Sequence, residues 1–215
     1  NLTSGTDLVR KAEGAAVHAI GTPLITNSDG TKFGKSEGNA IWLDPELTTP
    51  YAFYQFWLNT ADADVVDRLK VFTFRTRAEI EELARLTEEE PFRRQAQKTL
   101  AYDVCSLVHG SEATDKVIAA SEALFGRGDI AALDEPTLVA ATAELPHAQV
   151  PAGRLPQVAD LLLATQLASS KSEARRFLRE GAVSVNGAKA AGEDAVVADE
   201  DLLHGRYLVL RRGKK

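Results

Sequence analysis

The 215-residue sequence has no methionine, a single cysteine and no apolar run long enough to span a bilayer. The one cysteine, Cys105, excludes an internal disulfide and any multi-cysteine metal knuckle. The longest uncharged stretches, Gly14–Ser28 and Leu47–Ala61, contain Pro, Asn and Thr. Both fall short of the ~18 apolar residues a membrane helix needs. A basic-then-apolar start of the secretory type is also missing. These absences lead us to expect no membrane association and a reducing, cytoplasmic setting. The acidic pairs and triplets at Glu81–Glu82 and Glu88–Glu90 have no His or Asp converging on them, so they read as solvated faces and no metal site is expected. The lack of methionine, with Asn first and Asn1–Ser4 reading as the entry to a helix, leads us to expect the back part of a longer protein.

What is present has ordinary globular composition, 44% hydrophobic and 26% charged. The net charge of −6 argues against a generally adhesive nucleic-acid binder, but it is unevenly spread. Residues 1–152 carry 14 Lys+Arg against 23 Asp+Glu, and residues 153–215 carry 11 against 8. The sign changes in Leu145–Gly153, where two prolines and a glycine interrupt any apolar period and read as a linker. An acidic body is therefore followed by a small basic module.

The body opens with a helical pattern over Leu2–Ala12. Val17–Thr26 reads as strand, bend and short strand, and Asn27–Gly30 as a turn. From Thr48 the pattern is helical: Thr49–Pro50 is a cap with proline in the first turn, followed by Tyr51, Tyr54, Trp57 and Leu58 on one face. Further helices are expected over Asp64–Phe72, Thr76–Leu86, Pro91–Val108, Ser111–Phe125 and Pro136–Leu145. The longest carries Phe92, Ala96, Leu100, Val104 and Leu107 on its apolar face. Cys105 reads as a core residue, and His109 as a basic group at a helix end. In the module, Val158–Leu163 and Ser170–Arg179 read as helices, Ala182–Val185 and Tyr207–Leu210 as strands, and Asn186–Gly187 as a two-residue hairpin turn. The closing Arg211–Lys215 reads mainly as a disordered basic tail with some capacity for phosphate contacts.

Two constellations carry chemistry. The first is Gly30–Thr–Lys32–Phe–Gly34–Lys35–Ser36. A P-loop needs glycine five positions before its Gly–Lys, and that position is Asp29, so the spacing is wrong. Two lysines three apart on a glycine-bearing loop can instead meet two oxygens of a polyphosphate as compact point charges. Ser36 adds a hydroxyl donor, and Gly34 with Gly38 lets the loop close on its ligand. The second is the helix over 170–179. Lys171, Arg175 and Arg179 stack at i, i+4 and i+8, with Arg176 flanking, while Ala174, Phe177 and Leu178 face the core. Such a stripe suits a phosphate backbone, read by shape and charge rather than base stacking.

Lys32–Ser36 resembles the KMSKS signature of class I aminoacyl-tRNA synthetases, in the form KFGKS. With Pro23–Thr26, Ile41–Asp44, Pro50–Trp57, Leu107–Gly110 and Ser121–Phe125, the chain resembles the bacterial tyrosyl-tRNA synthetase family along its whole length. The string Leu167–Leu178 with Gly181–Gly187 is similar to the S-four-like RNA-binding domain. No His-x-Gly-His signature occurs at His18, His109, His147 or His204, as expected of a portion downstream of that motif.

The resemblance implies a multi-domain fold. Residues 1–47 would end a Rossmann-like α/β catalytic domain. Residues 48–145 would form an all-α tRNA-binding domain, 146–153 a linker, and 154–215 a small α+β S-four-like domain. It implies a tyrosine–tRNA ligase that uses ATP, with Mg2+, as substrate rather than a tightly bound cofactor. Its partners would be tyrosine, tRNA(Tyr) and a second copy, the homodimer forming through the upstream domain. Lys32, Lys35 and Ser36 would be catalytic, with Gly34 completing the ATP loop. Lys171, Arg175, Arg176, Arg179 and Asn186 would contact RNA. The chain alone would be inactive. The rivals are a non-catalytic RNA-binding protein built on the C-terminal module and another class I synthetase, of which the tryptophan enzyme is the nearest but normally lacks this module.

Overall fold

The computed structural model describes residues 1–34, 41–126, 128–143, 145–151 and 156–213. The chain divides into two compact units, Asn1–Ile41 and Trp42–Lys215.

In the first unit, α1 spans Leu2–Glu13 and stops where Gly14 turns left-handed at φ 67°, its N–H returning to the Arg10 carbonyl. No residue of α1 is buried. The expected strand, bend and strand over 17–26 are not formed: among the described residues only Thr26 bridges, antiparallel to Lys32. A strand is stable when a neighbour supplies its ladder, and residues 17–24 have none among those described.

The second unit starts with helices. The body comprises α2 (Pro50–Leu58), α3 (Asp62–Phe72), α4 (Arg77–Glu89), α5 (Gln95–His109), α6 (Ser111–Phe125) and α7 (Glu135–Thr142). The caps explain the starts. The Thr49 side chain accepts from Ala52 N–H ahead of Pro50, as the sequence predicts. Thr76 and Glu79 form a reciprocal capping box on α4, with Thr76 N–H donating to Glu79 Oε2 at 2.8 Å. Helix α2 packs on α5, with Phe53, Leu69, Leu100 and Leu138 fully buried and Cys105 among them. Tyr51, Tyr54 and Trp57 are buried as their spacing predicts.

Three expectations fail here. The helix over Pro91–Val108 is broken: Pro91–Arg93 is a 3-10 turn, and Arg94 takes φ 51° before α5 begins. The Arg94 guanidinium donates to the Leu58 carbonyl at 2.6 Å, tying the break to the end of α2. Phe92 therefore leaves the apolar face and is 79% exposed, and Leu107 is exposed too. His109 is no exposed helix-end cation. Its ring meets Phe53 edge-on at 4.9 Å, its Nε2 is buried without a partner among the described residues, and burial lowers its pKa.

The module is α8 (Val158–Ala164), α9 (Lys171–Arg179), β1 (Val183–Val185), β2 (Ala188–Lys189) and β3 (Leu210–Arg212). Its antiparallel sheet has the order β2-β1-β3, with Val185 opposite Ala188 and Leu210. Asn186 at φ 49° and Gly187 at φ 85° make the tight turn whose two left-handed positions suit the twist of a hairpin. Val158, Leu162, Ala174, Leu178 and Val183 form its core. The last strand begins at Leu210 rather than Tyr207, because Tyr207 pairs with Leu203 and its hydroxyl donates to Glu135 at 3.0 Å.

Candidate nucleotide loop and nucleic-acid interface

The loop is built on a stapled turn. Asn27 N–H donates to Thr31 O at 2.8 Å and Gly30 N–H to Asn27 O at 2.9 Å, with Gly30 at φ 82°. Asp29 Oδ1 accepts from both the N–H and the hydroxyl of Thr31, at 2.9 and 2.6 Å. Those bonds, the hydroxyl first, hold the Asp29 carboxyl below its ordinary pKa. Phe33 N–H reaches Ile25 O at 3.0 Å, closing a two-stranded neck. Lys32 leaves this neck with its side chain exposed and meets no carboxylate among the described residues. Gly34 follows at φ 73°, a left-handed position that a side chain would strain. Lys35, Ser36 and Gly38 lie outside the described residues.

In the module, Ser170 caps α9 by accepting from Glu173 N–H, and Ala174 and Leu178 turn into the core. This leaves Lys171, Arg175, Arg176 and Arg179 exposed, as the helical period predicts. Two of them already hold carboxylates from other elements: Lys171 Nζ lies 2.7 Å from Asp160 Oδ1, and Arg179 Nε bonds Glu193 Oε1. Arg176 lies 3.5 Å from Glu173 and over the Phe177 ring at 5.2 Å. Asn186 works inside the protein. Its Oδ1 accepts from Val209 N–H at 2.9 Å, and its Nδ2 donates to the Asp201 carbonyl, so its side chain ties the hairpin turn to two later segments of the module.

The sequence also gave no warning of the basic end's internal work. Arg211 and Arg212, read as tail, sit in β3. Arg211 donates to the Ala123 and Leu124 carbonyls at the end of α6, and Arg212 to the Leu167 carbonyl while lying 4.8 Å over Phe177. His204 Nε2 contacts Leu133 O at 2.9 Å, and Arg206 pairs with Glu135 at 3.1 Å. These bonds join module to helical body across about 70–90 residues of sequence. No local pattern announces such distant partners.

Residues 1–126 match the family model described as tRNA synthetases class I (W and Y). The chain belongs to this family. Residues 138–215 match a second model, the tyrosine–tRNA ligase SYY-like C-terminal domain. The tyrosine–tRNA ligase of Streptomyces avermitilis is 61% identical over 216 residues, covering all of this chain and 51% of that protein. That of Leifsonia xyli subsp. xyli is 63% identical, covering all of this chain and 48% of that protein. The chain thus spans about half the length of the curated relatives it matches. A C-terminally truncated mitochondrial tyrosyl-tRNA synthetase from Aspergillus nidulans matches at 40% identity and TM-score 0.39, over 40% of this chain and 26% of that one, too low a score to argue fold from.

Membership in a class I family gives the loop its context, since Lys32, Gly34, Lys35 and Ser36 all fall within the first match. The basic helix falls within the second. Among the described residues no helix is long and apolar enough to cross a membrane.

Proposed function

We propose that this chain is the downstream portion of a tyrosine–tRNA ligase, which activates tyrosine with ATP and transfers the tyrosyl group to tRNA(Tyr). The observation that carries the reading is identity above 60% with tyrosine–tRNA ligases over the whole chain, the lysine loop and basic module included. Residues 1–47 end the α/β catalytic domain, 48–145 form the helical tRNA-binding domain, 146–153 link, and 154–215 form the S-four-like module. The complete enzyme is a cytoplasmic homodimer joined through its upstream part.

In the activation step a tyrosine carboxylate oxygen attacks the α-phosphorus of ATP, and pyrophosphate leaves with the electrons of the broken P–O bond. Charge grows on the leaving group, and fixed cations stabilise it most when they meet it there rather than in the ground state. Lys32 and Lys35 supply those cations, Ser36 a hydroxyl, and Gly34 the bend that lets the loop approach. Mg2+ arrives on the ATP phosphates as part of the substrate. In the transfer step the ribose hydroxyl at the tRNA end attacks the tyrosyl carbonyl and AMP leaves. The α9 stripe binds backbone phosphate to hold the tRNA for this step.

The test is the full-length enzyme with Lys35→Ala. Adenylate formation in a single turnover should slow by roughly 10²–10³ while tyrosine affinity stays normal. An unchanged rate constant, or a defect confined to tyrosine binding, would overturn the assignment of the loop.

A further inference from the structure

The cations at both ends of the α9 stripe are occupied in the free protein by carboxylates from other elements. Asp160, in the first turn of α8, holds Lys171. Glu193, in the loop after β2, holds Arg179. Hydrogen bonding to Arg179, and then the field of Arg175, keep the Glu193 carboxyl below its ordinary pKa. Arg175, midway, makes no ion pair among the described residues. The pairs are open to solvent, with side-chain exposures of 47% and 41% for Lys171 and Asp160, and 67% and 35% for Arg179 and Glu193. Exposed pairs of this kind shift an equilibrium by no more than about fivefold, so they can be exchanged.

We propose that Asp160 and Glu193 are built-in competitors for the phosphate sites of α9, displaced together when an RNA backbone presents phosphates along the helix. This rests on the reading of α9 as the RNA face. Lys171 and Arg179 are eight residues apart, about 12 Å along the helix axis. A free anion that reaches one end exchanges one carboxylate for itself and gains little. A polyanion that has won one exchange is held beside the second at high effective concentration and wins that too. A backbone phosphodiester carries one negative charge, like a carboxylate, so its advantage lies in the linkage of successive phosphates along one chain. The two acids therefore filter against isolated anions and favour a continuous backbone. Salt weakens the internal pairs along with the RNA contacts, so the competition counts most at low salt.

The experiment measures affinity for a tRNA(Tyr) transcript across a salt series, using the full-length enzyme and its Glu193→Gln, Asp160→Asn and double variants. Inorganic phosphate serves as competing anion. Each single variant should bind tRNA about two- to fivefold more tightly at low salt, and the double variant more tightly than either. The gain should shrink as salt rises, and phosphate should compete better against the double variant than against wild type. Glu200→Gln is the control: Glu200 makes no ion pair with α9 among the described residues, so its neutralisation should leave affinity unchanged. An equal gain in Glu200→Gln would show a net-charge effect only and overturn the proposal. So would wild-type affinity in the double variant when Arg175→Glu weakens binding. Wild-type affinity in Arg175→Glu itself would overturn the reading of α9 as the RNA face. Should Asp160→Asn disturb α8, Glu193→Gln alone decides, read beside an unchanged melting temperature.

Discussion

The lysine loop and the basic helix both gather cations, but they differ in what those cations already hold. Lys32 stands exposed beyond a stapled turn and meets no carboxylate among the described residues. On α9, Lys171, Arg176 and Arg179 each lie against an acid, and Arg175 lies in the field of one. Their supports differ as well. The loop hangs on a few turn hydrogen bonds, and the helix of its unit, α1, has no buried residue. Helix α9 is fixed by Ala174 and Leu178, which are essentially inaccessible. A bare lysine on a thinly supported turn suits charge that appears only during a reaction. Shielded cations on a rigid helix suit a permanent polyanion that must compete for them.

The sharpest way to break this contrast is the removal of Lys35, with its loss of roughly 10²–10³ in adenylate formation. Next is the support of α9. Leu162→Ala, in the centre of the module core, should cost about 2–5 kcal/mol in urea unfolding. It should weaken tRNA binding in proportion to the unfolded module while sparing adenylate formation. Arg175→Glu should lower tRNA affinity severalfold and flatten its log–log salt dependence by about one unit, with the module still folded.

A smaller effect sharpens the contrast between fixed and exchangeable charge. The Glu79 carboxyl, held by Thr76 and then Arg75, lies at about 2 instead of 4.5. Its contribution to stability is therefore complete above pH 4.5 and is lost as the pH falls towards 2. Thermal unfolding followed by circular dichroism should show this acid loss reduced in Glu79→Gln. Thr76→Ala should cost about 1 kcal/mol at neutral pH.

Much of the fold was legible because its signals are local. Thr49–Pro50, the Thr76–Glu79 box, Ser170 and Asn186–Gly187 each mark a boundary through their own neighbours. The α9 faces followed from the helical period alone. The failures are where distant partners decide. Arg94 breaks the long helix while reaching Leu58, and Arg211 leaves the tail to cap α6. The acids over α9 come from 11 and 14 residues away along the chain, outside any single helical pattern. For the loop, the proposed chemistry rests on the spacing of Lys32, Gly34, Lys35 and Ser36 in the sequence, and the structure adds the staple at Asp29 and Thr31.

The most direct test of the division between the two cationic regions measures both half-reactions in the full-length enzyme for Lys35→Ala and Arg175→Glu side by side. Single-turnover adenylate formation should fall only in Lys35→Ala, and tRNA(Tyr) affinity only in Arg175→Glu. Loss of adenylate formation in Arg175→Glu with its fold intact, or unimpaired activation in Lys35→Ala, would contradict it.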